Sequence, residues 1–211
     1  MIKEEIMPVK KILLTGGSRF IGQHLTNFFK KRNDEIAWVS RKKPLVKGVK
    51  WINIDSNLKK EVLNFKPDFT IHLAACFNNS DIQALIDCNT ILPIKLLEIL
   101  KLLPINKRNF IYTGSYWQNG DYKKPHIPID LYSASKKSLR PYVSYYHAYH
   151  DVSAIELINF GTYGAKDGRG KLLDQLIQIA KTGKSLKLSP GRQSLNLVHI
   201  NDVCNAYLVA C

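Results

Sequence analysis

The run Lys11-Ile12-Leu13-Leu14-Thr15-Gly16-Gly17-Ser18-Arg19-Phe20-Ile21-Gly22 constrains this chain more than any other stretch. A short apolar segment that ends on glycines has the form of a buried parallel strand. After the turn, Ile21, Leu25, Phe28 and Phe29 fall at helical spacing within Phe20 to Lys31. Glycine at 16 permits a tight turn and lets backbone N–H groups approach a pyrophosphate, while Gly22 lets the helix pack close to its strand. Ser18, Arg19, Phe20 and Ile21 complete the loop at the helix N-terminus. A plain tight turn is the competing reading, and the strand–turn–helix context favours an anion-binding one.

The rest of the chain continues the alternation. Strands are expected at Ile36–Ser40, Lys50–Ile54, Phe69–Leu73, Asn109–Thr113 and Ala154–Phe160. Helices are expected at Leu58–Phe65, Ile82–Leu103, near Tyr132–Tyr149, at Lys171–Thr182 and from Asp202 to Cys211. Pro93 should bend the long helix, and Pro141, unable to donate to the Lys137 carbonyl, should kink the next. Such alternation predicts an α/β fold, a Rossmann-type doubly wound parallel sheet. Residues 1–160 are expected to form a cofactor-binding domain. Residues 161–211 are expected to form part of a substrate-binding lobe, with elements returning to the Rossmann core. A length of 211 residues suffices for the first and is short for a whole second lobe, which therefore reads as truncated.

The 31 Lys and Arg against 17 Asp and Glu give a net charge of +14. The excess is denser in residues 1–60, which hold 14 basic and 5 acidic residues. An anionic ligand, a nucleic acid or an acidic surface would each suit such a bias, as would a merely solvated basic face. No apolar run reaches the ~20 residues of a membrane-spanning helix. Nor does an apolar stretch of secretory type precede Ile12, so a cytoplasmic protein is expected. Cys76, Cys88, Cys204 and Cys211 lie at irregular spacings among apolar neighbours and read as buried thiols. His147, His150 and Asp151 read as a polar helix end, and no metal site is expected.

The second strand sharpens the anion. A carboxylate there would accept from a ribose 2′-hydroxyl, but the strand runs into Ser40-Arg41-Lys42-Lys43. A guanidinium suits a 2′-phosphate, and Arg19 can approach the same group, so NADP(H) is preferred over NAD(H). A solvated turn at Arg41–Lys43 is the alternative. Asp55, after the third strand, can contact adenine or cap the next helix.

Tyr132 and Lys136 stand four apart, on one helical face, and can point into one cleft. A nearby ammonium favours phenolate, so Lys136 is expected to bring the Tyr132 hydroxyl towards a useful acid/base range. With them go His72-Leu73-Ala74-Ala75 after the fourth strand and Ser115 after the fifth. The stretches TGGSRFIG, HLAA, Asn89, NFIYTGSYW, YSASK, FGTYG and LVHINDV follow one another across nearly the whole chain. In that order they resemble the extended short-chain dehydrogenases/reductases, the NAD(P)-dependent sugar-nucleotide epimerases, dehydratases and ketoreductases. WQNGDY, DLYSASKKS and SPGRQ are most similar to reductases of nucleotide-linked 4-keto-6-deoxyhexoses of the CDP-abequose synthase kind.

The resemblance implies a mechanism. Tyr132 would give a proton to the substrate oxygen, Lys136 would hold the nicotinamide ribose, and Ser115 would hydrogen-bond the reacting oxygen, with Thr113 as the alternative hydroxyl. Leu73, Ala74, Ala75 and Asn89 would line the cofactor, and Trp117, Gly161, Thr162 and Arg192 the nucleotide-sugar. A homodimer through the helices at Ile82–Leu103 and Tyr132–Tyr149 is implied, with no membrane and no nucleic-acid partner. Arg19 replaces a family glycine, and the Arg expected before the last motif is absent from SLNLVH, Arg192 being the nearest replacement. An epimerase or dehydratase is the enzymatic alternative, and a catalytically lapsed cofactor- or nucleic-acid-binding relative the non-enzymatic one.

Overall fold

The computed structural model describes residues 8–121, 123–188, 190–192 and 194–211. The N-terminal stretch read for a leader, and Tyr122, Ser189 and Gln193 of the stretches WQNGDY and SPGRQ, lie outside the described residues.

Six parallel strands form the main sheet: β1 (Lys11–Thr15), β2 (Glu35–Ser40), β3 (Val49–Asn53), β4 (Phe69–His72), β5 (Asn109–Ser115) and β6 (Ser153–Asn159). Their order is β3-β2-β1-β4-β5-β6. The order reverses between β1 and β4, so the crevice for a ligand opens there, beyond the carboxyl ends of the strands. Alternation along β1 divides the core between the two faces of the sheet. Ile12 and Leu14 pack with α1 (Phe20–Lys31) and α8 (Ile200–Ala210), through Leu25, Phe29, Val203 and Tyr207. Leu13 faces the opposite layer, α2 (Leu58–Phe65), α4 (Leu92–Leu100) and α6 (Leu139–His150). Each such buried leucine contributes on the order of 2 kcal/mol.

Two expected helices are subdivided, each at a proline. The long one consists of α3 (Ile82–Ile86), a π-helical turn (Asp87–Ile91) and α4. Pro93 sits in the first turn of α4, where a missing N–H is harmless. Just before it the chain widens, and the Leu92 N–H reaches back to the Asp87 carbonyl. The second divides into α5 (Leu131–Lys137) and α6, with Ser138 between them, one turn ahead of Pro141. Ser138 Oγ donates to the Ser135 carbonyl at 2.8 Å.

Beyond β6 the chain forms β7 (Gly161–Tyr163), α7 (Leu172–Thr182) and β8 (Leu197–His199). β7 and β8 pair parallel in a separate two-stranded sheet, and α8 then packs against α1. No helix among the described residues is long and apolar enough to cross a membrane.

Candidate active site

The glycine turn joins β1 to α1 at the point where the strand order reverses. Gly16 adopts φ +70°, and a Cβ there would lie 2.7 Å from the Ala74 nitrogen, so the turn fits against the Leu73–Ala74 main chain only as glycine. A side chain on Gly22 would overlap the Gly16 carbonyl, which is how α1 comes so close to β1. Trp38, from β2, fills the space over Gly17 and donates from Nε1 to Thr26 Oγ1 at 2.9 Å. Arg19 occupies the N-cap of α1 in extended backbone and makes no side-chain cap, and the first turn holds no acidic residue. Among the described residues no acidic side chain caps the first amides of α1, an arrangement that suits a phosphate. Ser18 and Arg19 are exposed at this end, with Phe20 and Ile21 half-buried beside them.

β1 and β2 pair in register, Thr15 with Val39, so Arg41 leaves the adjacent strand end beside the turn. Arg41 is exposed, and Ser40 Oγ donates to the Lys42 carbonyl at 2.8 Å, which shapes the bend after β2. Asp55 is exposed past β3. The N-cap of α2 is Asn57 in left-handed backbone, so the capping alternative for Asp55 does not hold.

Ser115 ends β5 and Tyr132 and Lys136 lie on α5; all three are buried. Asp130 starts α5 firmly: its carboxylate accepts from the Ser133 N–H at 2.7 Å while Ser133 Oγ lies 3.1 Å from the Asp130 nitrogen, a reciprocal cap. Asn79 Oδ1 accepts from the Tyr132 N–H at 2.7 Å, and the Phe77 ring packs on that of Tyr132 with centroids 4.7 Å apart. The Ser115 side chain stands near enough to the Tyr132 hydroxyl to draw its proton affinity down, and Ser115 Oγ also accepts from the Trp117 N–H at 3.4 Å. Thr113 is engaged elsewhere: its hydroxyl donates to the His72 carbonyl at 3.2 Å and lies 2.5 Å from the Tyr207 hydroxyl. Of the two candidate hydroxyls, Ser115 is the one beside Tyr132.

Electrostatics correct one expectation. Burial pushes the Tyr132 hydroxyl up to about 12, against the pull of the Ser115 side chain and with the Asp130 charge adding. Burial dominates and Lys136 is not among the groups that move it, so Tyr132 is a protonated donor at neutral pH. Lys136 itself is pulled down to about 8 by burial, a shift that Cys88 and Glu156 oppose. It makes no ion pair among the described residues. A buried, uncompensated cation of this kind suits a hydroxyl-rich or anionic ligand.

Asn89 lies in the π-helical turn and is almost wholly buried. Its carboxamide accepts from the Cys76 N–H at 2.9 Å, donates to the Cys76 carbonyl at 3.0 Å and reaches Ser135 Oγ at 2.9 Å. It thereby ties the chain after β4 to α5, with Leu73, Ala74 and Ala75 half-buried on the way.

The remaining expected residues are more dispersed. Trp117 is exposed in a 3-10 turn (Tyr116–Asn119) after Ser115, and Tyr116 stacks on Phe160 with rings 8° from parallel. Gly161 opens β7, and Thr162 is buried, its carbonyl and hydroxyl accepting from Arg169 at 2.9 and 3.0 Å. The Arg169 guanidinium lies 4.3 Å over the Phe20 ring, and His24 Nε2 is 2.9 Å from the Ala165 carbonyl, so the segment after β7 covers the start of α1. Arg192 is exposed between α7 and β8. His199 caps α8 through a 3.3 Å bond from the Asn201 N–H. Sequence reasoning missed Phe77, Asn79, Gln118, Arg140, Glu156 and Arg169.

The sequence pattern of the "NAD dependent epimerase/dehydratase family" matches residues 12–211. CDP-abequose synthase of Yersinia pseudotuberculosis is 33% identical over 212 residues, covering 94% of this chain and 72% of the relative. The enzyme of the same name from Salmonella muenchen is 30% identical over 208 residues, covering 94% and 69%. Among solved structures, UDP-glucose 4-epimerase from Brucella ovis in complex with NAD superposes with a TM-score of 0.80 at 17% identity, over 96% of this chain and 73% of that one. UDP-glucuronic acid 4-epimerase from Bacillus cereus, in complex with UDP-glucuronic acid and NAD, gives 0.78 at 22% identity, over 95% and 72%.

Proposed function

Because this chain belongs to the NAD dependent epimerase/dehydratase family, we propose that it is an oxidoreductase that reduces a nucleotide-linked 4-keto-6-deoxyhexose with NADPH. The observation that carries the reading is the burial of Ser115, Tyr132 and Lys136 together, Ser115 at the carboxyl end of β5 and the other two on α5. The nucleotide-sugar class is also the one that the CDP-abequose synthases suggest.

The nicotinamide cofactor supplies hydride to the carbonyl carbon when bound. Gly16, Ser18, Phe20, Ile21 and Gly22 would shape the pyrophosphate site at the N-terminus of α1, whose first turn holds no acidic residue. Arg19 and Arg41 would hold a 2′-phosphate, and Ser40 and Asp55 would flank the adenosine. NAD(H) remains the alternative nucleotide. Leu73, Ala74, Ala75 and Asn89 would wall the cofactor channel. Lys136 would hydrogen-bond the nicotinamide ribose with its buried ammonium. Tyr132 would deliver its proton to the carbonyl oxygen as negative charge develops there, and Ser115 would steady that oxygen. Trp117, Gly161, Thr162 and Arg192 would meet the nucleotide-sugar. In this reading residues 1–160 serve the cofactor and 161–211 contribute to the substrate lobe. A homodimer would form through α3, α4 and α6, where Ile82, Ile86, Tyr142, Tyr145 and Tyr149 are exposed.

The test is NADPH consumption with a CDP-linked 4-keto-6-deoxyhexose. Stoichiometric oxidation of NADPH, lost in Tyr132→Phe with cofactor binding retained, is the expected result. Conversion of the sugar without net oxidation would make the protein an epimerase or dehydratase. Full turnover by Tyr132→Phe would overturn the assignment.

A further inference from the structure

Behind Ser115 lies a hydrogen-bonded chain that the reaction as described does not use. It begins on α6, where Arg140 Nε donates to Glu156 Oε2 at 2.8 Å. Glu156 stands on β6, its side chain only 15% exposed. Its other oxygen accepts from Gln118 Nε2 at 2.6 Å, and Gln118 Oε1 accepts from the Ser115 N–H at 3.0 Å. Gln118 is completely buried.

The chemistry of the groups fixes the polarity of this chain. A carboxylate can only accept, so the carboxamide must turn its NH₂ to Glu156 and its oxygen to Ser115. The guanidinium in turn holds the carboxylate in place, and charge on both partners strengthens the contact. Were the carboxamide reversed, an NH₂ would face the Ser115 N–H and an oxygen would face the carboxylate. Gly114 makes room: a Cβ at that position would lie 2.7 Å from Glu156 Oε1 and 3.0 Å from Gln118 Oε1. Ser115 is thus held from behind by its own N–H, while its Oγ accepts from the Trp117 N–H at 3.4 Å on the side of Tyr132. Arg140 follows Lys136 by one helical turn, so the chain also braces the α5–α6 run against the β5–β6 edge of the sheet.

We propose that Arg140, Glu156 and Gln118 are positioning residues that fix Ser115 against Tyr132, acting through the Ser115 N–H. The proposal rests on the reading of Ser115 as the hydroxyl that steadies the reacting oxygen.

A fixed polarity can be broken and then restored by substitution. In Glu156→Gln, Arg140 claims the new amide oxygen, and either the new NH₂ confronts that of Gln118 or Gln118 turns over and Ser115 loses its acceptor. In Gln118→Glu two carboxylates meet. The double variant Gln118→Glu/Glu156→Gln gives every donor an acceptor again. Arg140 then donates to the amide oxygen at position 156, the NH₂ at 156 to the carboxylate at position 118, and the Ser115 N–H to that same carboxylate. Each single variant is expected to lose kcat by about 10- to 100-fold, the loss typical of a displaced reacting group, with KM for both substrates within about twofold. The double variant should recover to within a few-fold of the parent. A double variant no better than the worse single variant, or Glu156→Gln with the parent's kcat, would overturn the proposal.

Deuterium exchange of the peptide containing Ser115 gives a readout free of turnover. Exchange should quicken in Glu156→Gln, return in the double variant and stay unchanged in the peptide covering β1 and the glycine turn. If the parent proves inert towards nucleotide-sugars, the proposed function falls while the exchange pattern still decides whether the chain holds Ser115. Unchanged exchange at Ser115 in Glu156→Gln would refute the positioning role even in an active enzyme.

Discussion

Thr15 Oγ1 lies 2.9 Å from His72 Nδ1, joining the ends of the two strands between which the sheet reverses its order. The same hydroxyl oxygen accepts from the Ala74 N–H at 3.1 Å, which leaves its proton for the imidazole. Thr15→Val keeps the shape and strands both partners in the interior. It is expected to cost about 1–3 kcal/mol, the usual penalty for a buried polar group left unpaired. Urea denaturation of the two proteins measures it, and a change under about 0.5 kcal/mol would show that the contact is idle.

His72 makes stability depend on pH. Burial, with the Lys136 charge adding, holds its imidazole well below the ordinary value of 6.5. Above pH 6.5 the ring is neutral in both folded and unfolded chains, and nothing is lost. As pH falls through 6.5 the unfolded chain takes up a proton that the folded one refuses, so stability falls with pH until the depressed folded value is reached. The urea midpoint of the parent should therefore drop between pH 7 and pH 5 more steeply than that of His72→Gln. Parallel slopes would count against it.

The proposed preference for NADP(H) would rest chiefly on a charge at the end of β2. Replacing Arg41 by Asp puts a carboxylate where a ribose hydroxyl would be met and removes the partner of a 2′-phosphate. KM for NADPH should rise about 10- to 100-fold, equivalent to about 1.5–3 kcal/mol for a charge-assisted contact, while KM for NADH stays level or falls. Equal effects on the two cofactors would remove Arg41 from the 2′-phosphate site.

Gly16 should not tolerate even a methyl group. With φ at +70° and the Ala74 nitrogen 2.7 Å from where the methyl carbon would sit, Gly16→Ala must strain the backbone and push β4 away. A loss of at least about 1–3 kcal/mol is expected, with NADPH binding weakened more than stability alone explains. Calorimetry of folding and titration of cofactor fluorescence separate the two effects.

What could be read before folding was chemistry contained in short segments. The glycine turn, the Tyr132–Lys136 spacing and Ser115 each announce themselves within a few residues, and the alternation of strands with helices conveyed the layered architecture. β7 and β8 were harder, because three residues apiece leave no period to recognise. The choice between Ser115 and Thr113 needed Tyr207, which arrives from α8, far along the chain. Gln118, Arg140 and Glu156 read as ordinary polar residues until the pairing of Gly114 with Ile158 and Ser115 with Asn159 sets β6 beside β5. The Tyr132 hydroxyl followed the same rule: its shift comes from burial, a property of the tertiary structure that spacing to a lysine does not convey.

The widened turn at Asp87–Ile91 acts as a phase shifter. Each helical residue advances the side-chain direction by about 100°, so one residue more or less re-aims everything downstream. Ahead of the turn Leu85 faces inward, within it Asn89 meets Cys76 and Ser135, and beyond it Leu96, Leu97 and Leu100 meet the sheet. Deleting a single residue between 87 and 91 would return the helix to uniform pitch and swing either the amide from the cleft or the leucines from the core. The site and the core on this side of the molecule are therefore locked to one reading frame, and surface loops are where changes of length can be absorbed.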